Sequence, residues 1–312
     1  MKVLATNEEV RAWCGSVRAR GESVSLVPTQ GCLHEGHAAL IEHARTPGGS
    51  VAATVFVNPM QFRSEGYRSY PRTPERDITA ANDAGADALY MPDLGEVYPG
   101  VRDADQLLAL AHEDHGPPGT DSFSRSVPIG DGTVRLIRVP SRLSMRLDGR
   151  DHPWHFDGVA TVVARLLEIF DPDRACFGEK DIQQLAVLRA MNDWLGGRAR
   201  IVPVPIVRGA DGVSMSSRLG TLDEDGRAAA AAIARVMLDA SERVGEGESD
   251  LGWIEGSIRE RARSVGATID SVEVVDPRTL EPIERFGGVG VVYAAFFVGG
   301  VRLQECVSLG EG

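Results

Sequence analysis

No CxxC pair occurs among the four cysteines, Cys14, Cys32, Cys176 and Cys306. Their scatter leaves out a zinc ribbon, a dithiol redox motif and a disulfide scaffold, and points to reduced thiols in a cytoplasmic protein. Positive charge is also short. The balance of 33 Lys and Arg against 45 Asp and Glu gives a net charge of −12. That disfavours a nucleic-acid backbone as the main ligand, although a local basic pocket for one nucleotide is compatible with it. No apolar run approaches membrane-spanning length, and the N-terminus lacks the basic-then-apolar pattern of a signal peptide. No internal repeat is present. What is there is a chain of 312 residues, 43% hydrophobic and 25% charged. Those values fit a soluble globular protein with room for one large domain or two ordinary ones.

The most informative stretch is Val27-Pro28-Thr29-Gln30-Gly31-Cys32-Leu33-His34-Glu35-Gly36-His37. A short apolar run precedes it, and residues 38–45 carry apolar side chains at helical spacing. The order is strand, glycine-containing turn, two histidines separated by two residues, then helix. A helix start at the end of a first strand is a natural anion site, because its free N–H groups and its dipole both favour phosphate. Neutral imidazole can donate a hydrogen bond there. Two plainer readings stay open at this point: zinc ligation, or an ordinary polar loop. A zincin helix spaces its histidines four apart with Glu directly after the first. Here the spacing is three, and Gly36 suits a helix entry better than a metal-bearing helix interior.

The rest of the first two thirds alternates helix and strand. Asn7 reads as the cap of a helix running to about residue 20, and residues 50–57 as a buried parallel strand. That strand ends in Asn58-Pro59-Met60-Gln61-Phe62, where ligands sit in doubly wound sheets, though Asn58 also suits a turn before proline. Residues 63–70 read as a polar, mobile link, and Thr73-Pro74-Glu75 opens a helix to about residue 83. Residues 88–92 form a short strand. Between 100 and 132 a helix at 104–111 meets a breaker cluster at 112–119, a pattern of a surface insertion or lid. His112 and His115 within it are exposed-loop residues first and weak metal ligands second. A strand at 133–139, a helix at 160–170 and a strand at 174–177 follow.

The last strand ends in Gly178-Glu179-Lys180-Asp181, ahead of a helix at 182–195. An Asp near a helix N-terminus is expected and a Lys is not, so Lys180 suggests a bound anion. After a strand at 199–206 comes a third candidate phosphate turn, Val207 to Arg218, with Met215-Ser216-Ser217-Arg218 at its end. The rhythm then breaks into two helices, 228–243 and 253–265, and three hairpin-spaced strands. The reading is an α/β fold: a Rossmann-like doubly wound parallel sheet over residues 1–206, with an insertion at about 100–132, and a smaller C-terminal α+β lid domain over 207–312.

Three phosphate-type turns and an Asn-Pro-x-Gln-Phe segment in one chain resemble the pantoate–β-alanine ligase family. Further matching segments are Tyr70-Pro71-Arg72-Thr73, His155-Phe156-Asp157-Gly158-Val159, Phe177-Gly178-Glu179-Lys180-Asp181 with Gln183-Gln184-Leu185, and Val275-Asp276-Pro277. The likeness covers nearly the whole chain. It implies membership of the wider HIGH-motif nucleotidyltransferases, with Met-Ser-Ser-Arg where class I aminoacyl-tRNA synthetases carry Lys-Met-Ser-Lys-Ser.

The resemblance implies a two-step amide synthesis. Pantoate carboxylate attacks the α-phosphate of ATP, and β-alanine then attacks the pantoyl adenylate, releasing AMP. It implies that Gln30, Gly31, His34 and His37 bind ATP, together with Gly178, Glu179, Lys180 and Asp181, and with Val207, Met215, Ser216, Ser217 and Arg218. Catalytic roles fall to His37, as proton donor, and to His34, Lys180 and Arg218. Asn58, Gln61 and Gln184 would hold the acid and amine. Mg²⁺ would come with ATP, no protein metal site is expected, and the family tends to dimerise.

Departures fall around the pocket. Gln30 stands where the family usually has Met, Cys32 where it has Ala, Trp154 where it has Gly, and Leu219 where it has Asn. The segment 100–132 is longer than usual by roughly 25 residues, and the glycine-proline turn after Phe62 is missing. These changes make a paralogous ligase for a different acid and amine the second reading. An AMP transferase that makes no amide is a third, and a regulatory protein with a dead site a fourth. Retention of His34, His37, Lys180, Ser216, Ser217 and Arg218 argues against the fourth, and Gln61 with Gln184 favours the first.

Overall fold

The computed structural model describes residues 1–113, 119–132 and 134–310, without the side chains of Arg125, Ser126 and Ser217. His115, Thr133 and the Ser217 hydroxyl therefore lie outside the description. By contacts the chain forms two compact units. One is Met1–Gly178 with Val187–Val204, the other Glu179–Ala186 with Pro205–Gly312.

In the first unit the elements run β1 (Lys2–Leu4), α1 (Asn7–Ala19), β2 (Ser23–Val27), α2 (Glu35–Ala44), β3 (Gly49–Thr54), α3 (Ser64–Ser69), α4 (Pro74–Asp83), β4 (Ala88–Tyr90) and α5 (Leu94–Val97). Next come α6 (Ala104–His112), β5 (Ser124–Ile129), β6 (Val134–Arg138), α7 (Ser141–Ser144), α8 (Pro153–Phe170) and β7 (Arg174–Gly178). The helix α9 (Ile182–Trp194), from Val187 onward, and β8 (Arg200–Val204) close it. Six parallel strands form one sheet in the order β1-β4-β3-β2-β7-β8. The chain winds outward from β2 in one direction and from β7 in the other. The carboxyl ends of these two neighbours therefore flank the topological switch point, where ligands of doubly wound sheets sit.

The strands are mostly apolar because helices cover them. Val27, Val51, Ala53 and Leu89 pack with Ile41 of α2 and Ala81 of α4 in one core. The first helix is capped one residue earlier than its sequence suggests. Thr6, not Asn7, forms the capping box, with Glu9. Residues 63–70 are not a mobile link: α3 occupies most of them. The segment after residue 100 is partly built into the unit, since Leu107, Leu108 and Ala111 of α6 are buried. The β5–β6 hairpin was not legible as a pair, because β5 carries no clean alternation.

In the second unit, α10 (Glu224–Gly245) and α11 (Gly252–Ser264) cover one face of an antiparallel sheet. Its strands are β9 (Thr268–Val275), β10 (Gly290–Val298) and β11 (Val301–Leu309), in the order β11-β10-β9. Ile233, Met237, Ile254, Val292 and Phe296 form the centre of its core. Among the described residues no helix is long and apolar enough to cross a membrane.

Candidate active site

The histidine turn leaves β2 and is stitched at once to the segment after β3. The Thr29 N–H donates to Thr54 Oγ1 (3.2 Å), Thr29 Oγ1 donates to the Thr54 carbonyl (2.5 Å), and the Phe56 N–H donates to the Thr29 carbonyl (3.1 Å). Gly31 sits at φ 85°, and a Cβ there would lie 3.0 Å from both Asp77 Oδ2 and Val55 Cγ1. Conformation and space both require glycine. Cys32 follows at φ 51°, a left-handed conformation that costs a non-glycine residue roughly 1–2 kcal/mol. The buried carboxylate of Asp77 holds the turn in place, accepting the Leu33 N–H (2.8 Å) and the Thr73 hydroxyl (3.3 Å).

The two histidines start α2. His34 is its N-cap: its Nδ1 accepts the Gly36 N–H (3.1 Å), while His37 Nδ1 accepts the His34 N–H (3.3 Å). This is a capping box in which imidazoles replace the usual hydroxyl and carboxylate. The rings lie 4.1 Å apart between centroids. An Nδ1 that accepts leaves the proton on Nε2, so each ring can offer a neutral Nε2–H donor. Burial, with His34 as the smaller cause, pushes the His37 pKa down to about 3. His37 is thus uncharged at pH 7, a hydrogen-bond donor more than an acid. Two such donors at the N-terminus of a ten-residue helix suit phosphate.

Asn58 and Gln61 frame a single turn of 3₁₀ helix, Pro59–Gln61. Asn58 is 1% exposed and its amide is spent internally. It donates to Gln61 Oε1 (3.0 Å) and the Gly158 carbonyl (3.1 Å), and accepts from the Tyr98 hydroxyl (2.8 Å) and the Met60 N–H (3.4 Å). The amide of Asn58, expected to hold the acid or amine, is thus engaged within the fold, while the amide nitrogen of Gln61 has no partner among the described residues. Behind this turn lies the whole His155–Val159 segment, inside α8 instead of ahead of it. His155 Nδ1 donates to the Gln61 carbonyl (2.9 Å). Burial pushes the His155 pKa down, and the Gln61 bond partly restores it. A Cβ on Gly158 would stand 2.4 Å from the Met60 carbonyl oxygen. Asp157 accepts the Arg138 Nε–H and the Val139 N–H, each at 2.7 Å.

In the second unit, Lys180 follows Gly178 and precedes α9. Its Nζ donates to the Met215 carbonyl (3.1 Å) and the Ser214 carbonyl (3.5 Å). Its own carbonyl accepts from Gln304 Nε2 and Cys306 Sγ, each at 3.0 Å. Burial pushes its pKa down, while Glu305, Asp181 and Cys306 pull it up. The Met215 N–H donates to the Val207 carbonyl (2.9 Å), and Arg208 pairs with Ser214 in an antiparallel bridge, so residues 207–215 form a small hairpin. Ser216 caps the short 3₁₀ helix Ser217–Thr221, its Oγ accepting the Arg218 N–H (3.3 Å). Arg218 is exposed and its Nη1 donates to the Arg302 carbonyl (3.4 Å). Glu179 is half-buried and Asp181 exposed.

The structure thus pairs His34 with His37, Asn58 with Gln61, and Lys180 with Met215. Gln30 and Gln184 are half-buried amides whose side chains have no partner among the described residues. Sequence reasoning missed Asp77, Tyr98, Arg208 and Glu305. One overlooked signal is scarcity: Lys2 and Lys180 are the chain's two lysines. No three His, Cys, Asp or Glu side chains converge as a metal site among the described residues.

The model of the family described as pantoate-beta-alanine ligase matches residues 2–307. The chain belongs to the pantoate–β-alanine ligase family. A pantothenate synthetase of Corynebacterium glutamicum (strain R) is 40% identical over 295 residues, covering 92% of this chain and 94% of the relative. One of Koribacter versatilis is 35% identical, covering 98% and 94%. The crystal structure of the Thermus thermophilus pantothenate synthetase superposes with a TM-score of 0.79 at 35% identity, covering 98% of this chain and 99% of that one. The Francisella tularensis ligase, complexed with beta-gamma ATP and beta-alanine, shares the fold at a TM-score of 0.71 and 24% identity, covering 100% and 99%.

Within this ligase family the departures sort by what they touch. Leu219 is buried in the apolar part of the second unit. Trp154 packs edge-on against His112 (4.3 Å between centroids), whose Nε2 bonds the Phe62 carbonyl (3.0 Å). His112, at the end of α6, is thus engaged with Trp154 and the Phe62 carbonyl. Cys32 Sγ donates to the Pro71 carbonyl (3.3 Å). Gln30 keeps its side-chain amide unengaged among the described residues.

Proposed function

We propose that the chain condenses (R)-pantoate with β-alanine at the expense of ATP, by way of pantoyl adenylate. Membership of an ATP-dependent ligase family over nearly its whole length supports this reading. The ligands of the Francisella tularensis relative, beta-gamma ATP and beta-alanine, match the nucleotide and the amine of this reading. The observation that carries the chemistry is the reciprocal cap of His34 and His37. It makes both Nε2–H groups neutral donors at a helix N-terminus. When pantoate carboxylate attacks the α-phosphorus, charge gathers on phosphate oxygens and the leaving pyrophosphate. Donors already in place stabilise that charge without reorganising. In this scheme Lys180 and Arg218 supply the fixed positive charge, and Ser216 and Ser217 add hydroxyl donors. Gly31, Gly178, Glu179, Asp181, Val207 and Met215 shape the nucleotide site, and Gln30 borders it. Gln61 and Gln184 hold the pantoate hydroxyl and carboxylate, which a neutral amide can both donate to and accept from.

Mg²⁺ is expected to arrive with ATP. That ion is commonly held by substrate phosphates, water and one or two carboxylates, which matches a chain in which exposed Asp181 adjoins Lys180. Chelation should abolish turnover and added Mg²⁺ should restore it. The enzyme is expected to be cytoplasmic and to work as a homodimer, which sedimentation of the purified chain would check. The decisive assay is pantoate-dependent exchange of pyrophosphate into ATP, paired with rescue of a pantothenate auxotroph. Exchange supported only by some other acid, without rescue, would reject pantoate as the substrate.

A further inference from the structure

Three consecutive residues of β11 organise both ends of Lys180. Gln304 and Cys306 lie on one face of the strand, and both donate to the Lys180 carbonyl. Glu305 points the other way, in the row of Leu303, Val307 and Leu309, which belong to the apolar core of the second unit. Glu305 is 1% exposed. Across the strand pair it faces Ala294, a side chain small enough to leave room. A carboxylate in an apolar row destabilises a fold unless it is fully paired, and an apolar residue of similar volume generally serves stability better.

The pairing of Glu305 shows what it is for. Its Oε1 accepts both the N–H and the hydroxyl of Ser214, at 2.7 and 2.6 Å. Its Oε2 accepts from Arg208 Nη1 (2.9 Å), and Arg208 reaches on to the Gly212 carbonyl (2.9 Å) and the Cys306 carbonyl (2.6 Å). Both strands of the 207–215 hairpin are thus fastened to one buried carboxylate. The carbonyls of Ser214 and Met215 are in turn the ones that hold Lys180 Nζ.

We propose that Glu305 is a positioning residue for adenylation: from its buried place on β11 it fixes the Ser214–Met215 carbonyls and thereby the place of the Lys180 ammonium. The inference rests on the ligase reading above. The charge of Glu305 also favours the protonated amine against burial, as Asp181 and Cys306 do, while Arg218 opposes it. Glu305 is therefore expected to affect the pH range of activity as well as its rate.

The test is Glu305→Gln in the full chain, assayed by pantoate-dependent ATP–pyrophosphate exchange. The expected result is a fall in kcat of roughly ten- to a hundred-fold, with a much smaller change in KM for ATP. The alkaline limb of the pH profile should move to lower pH, because Lys180 loses its largest favourable charge. A merely structural role would lower the active fraction and leave that limb in place. Ser214→Ala, which removes one of the two Ser214 donors and spares the Arg208–Glu305 pair, should show a smaller loss in the same direction. A folded Glu305→Gln protein with wild-type kcat and an unmoved alkaline limb overturns the inference. If that variant does not fold, wild-type kcat in Ser214→Ala overturns it. Absence of exchange in the wild-type chain would instead sink the ligase reading itself.

Discussion

At the scale of single residues, the histidine turn is governed by which nitrogen accepts. In both His34 and His37 the Nδ1 is occupied by a backbone N–H. The chemistry is therefore that of neutral donors, and replacing His37 should remove transition-state stabilisation more than binding. We expect His37→Asn to lower kcat for pantoate-dependent exchange on the order of a hundred-fold, with ATP affinity by calorimetry changed far less. Much of this residue level was legible in the chain. The glycine before the second histidine, the unusual Lys180 and the Ser-Ser-Arg run all mark places where ordinary helix starts would look different. Asp77 was not legible, because an acid in the first turn of a helix is expected whether or not it holds anything. Only its contacts with Leu33 and Thr73 give it a task.

At the scale of elements, one close approach sets the turn proposed to bind the acid. The helix α8 can meet the 59–61 turn only because position 158 has no side chain. Gly158→Ala should force the two apart, with a loss of about 1–3 kcal/mol in urea denaturation. Because Gln61 rides on that turn, KM for pantoate should rise more than kcat falls. Wild-type KM in a destabilised variant would show that the turn does not depend on this packing. The same helix illustrates the limit of reading by pattern. His155 to Val159 reads as a loop motif leading into a helix, whereas it forms the helix's own beginning. Its residues serve the neighbouring turn through Gly158 and His155, and Arg138 and Val139 through Asp157. Likewise, residues 63–70 are polar enough to read as a link, but a short helix needs only local hydrogen bonds and some packing to form there.

At the scale of the whole molecule, two histidines are kept neutral in the fold. Both His37 and His155 have pKa values pushed down by burial, His37 to about 3. Below pH 6.5 the unfolded chain takes up protons at these positions and the folded chain does not. Stability from His37 is therefore complete above about pH 6.5 and is lost as pH falls toward 3. One uncompensated proton corresponds to at most about 1.4 kcal/mol per pH unit, and less for a ring that is partly solvent-screened. Urea midpoints should fall across that window, and His37→Asn should flatten the fall. An unchanged slope would mean that the ring is not held neutral.

By itself the sequence determined the helix–strand alternation of the first unit and the family, and it marked three turns as candidate phosphate sites. Each rests on local chemistry: apolar period, glycine at a left-handed turn, a cation where a helix start predicts an anion. Only the tertiary structure decided which side chains are spent and which remain. Asn58, His112 and Trp154 are absorbed by partners up to a hundred residues away in sequence, while Gln30, Gln61 and Gln184 keep polar groups unengaged. It also turned Glu305, an acid in an apolar strand, into the brace of a lysine more than a hundred residues earlier in the chain. No local pattern could show this, because hydrogen-bond satisfaction is a property of neighbours in space, and the chain alone does not say who they are.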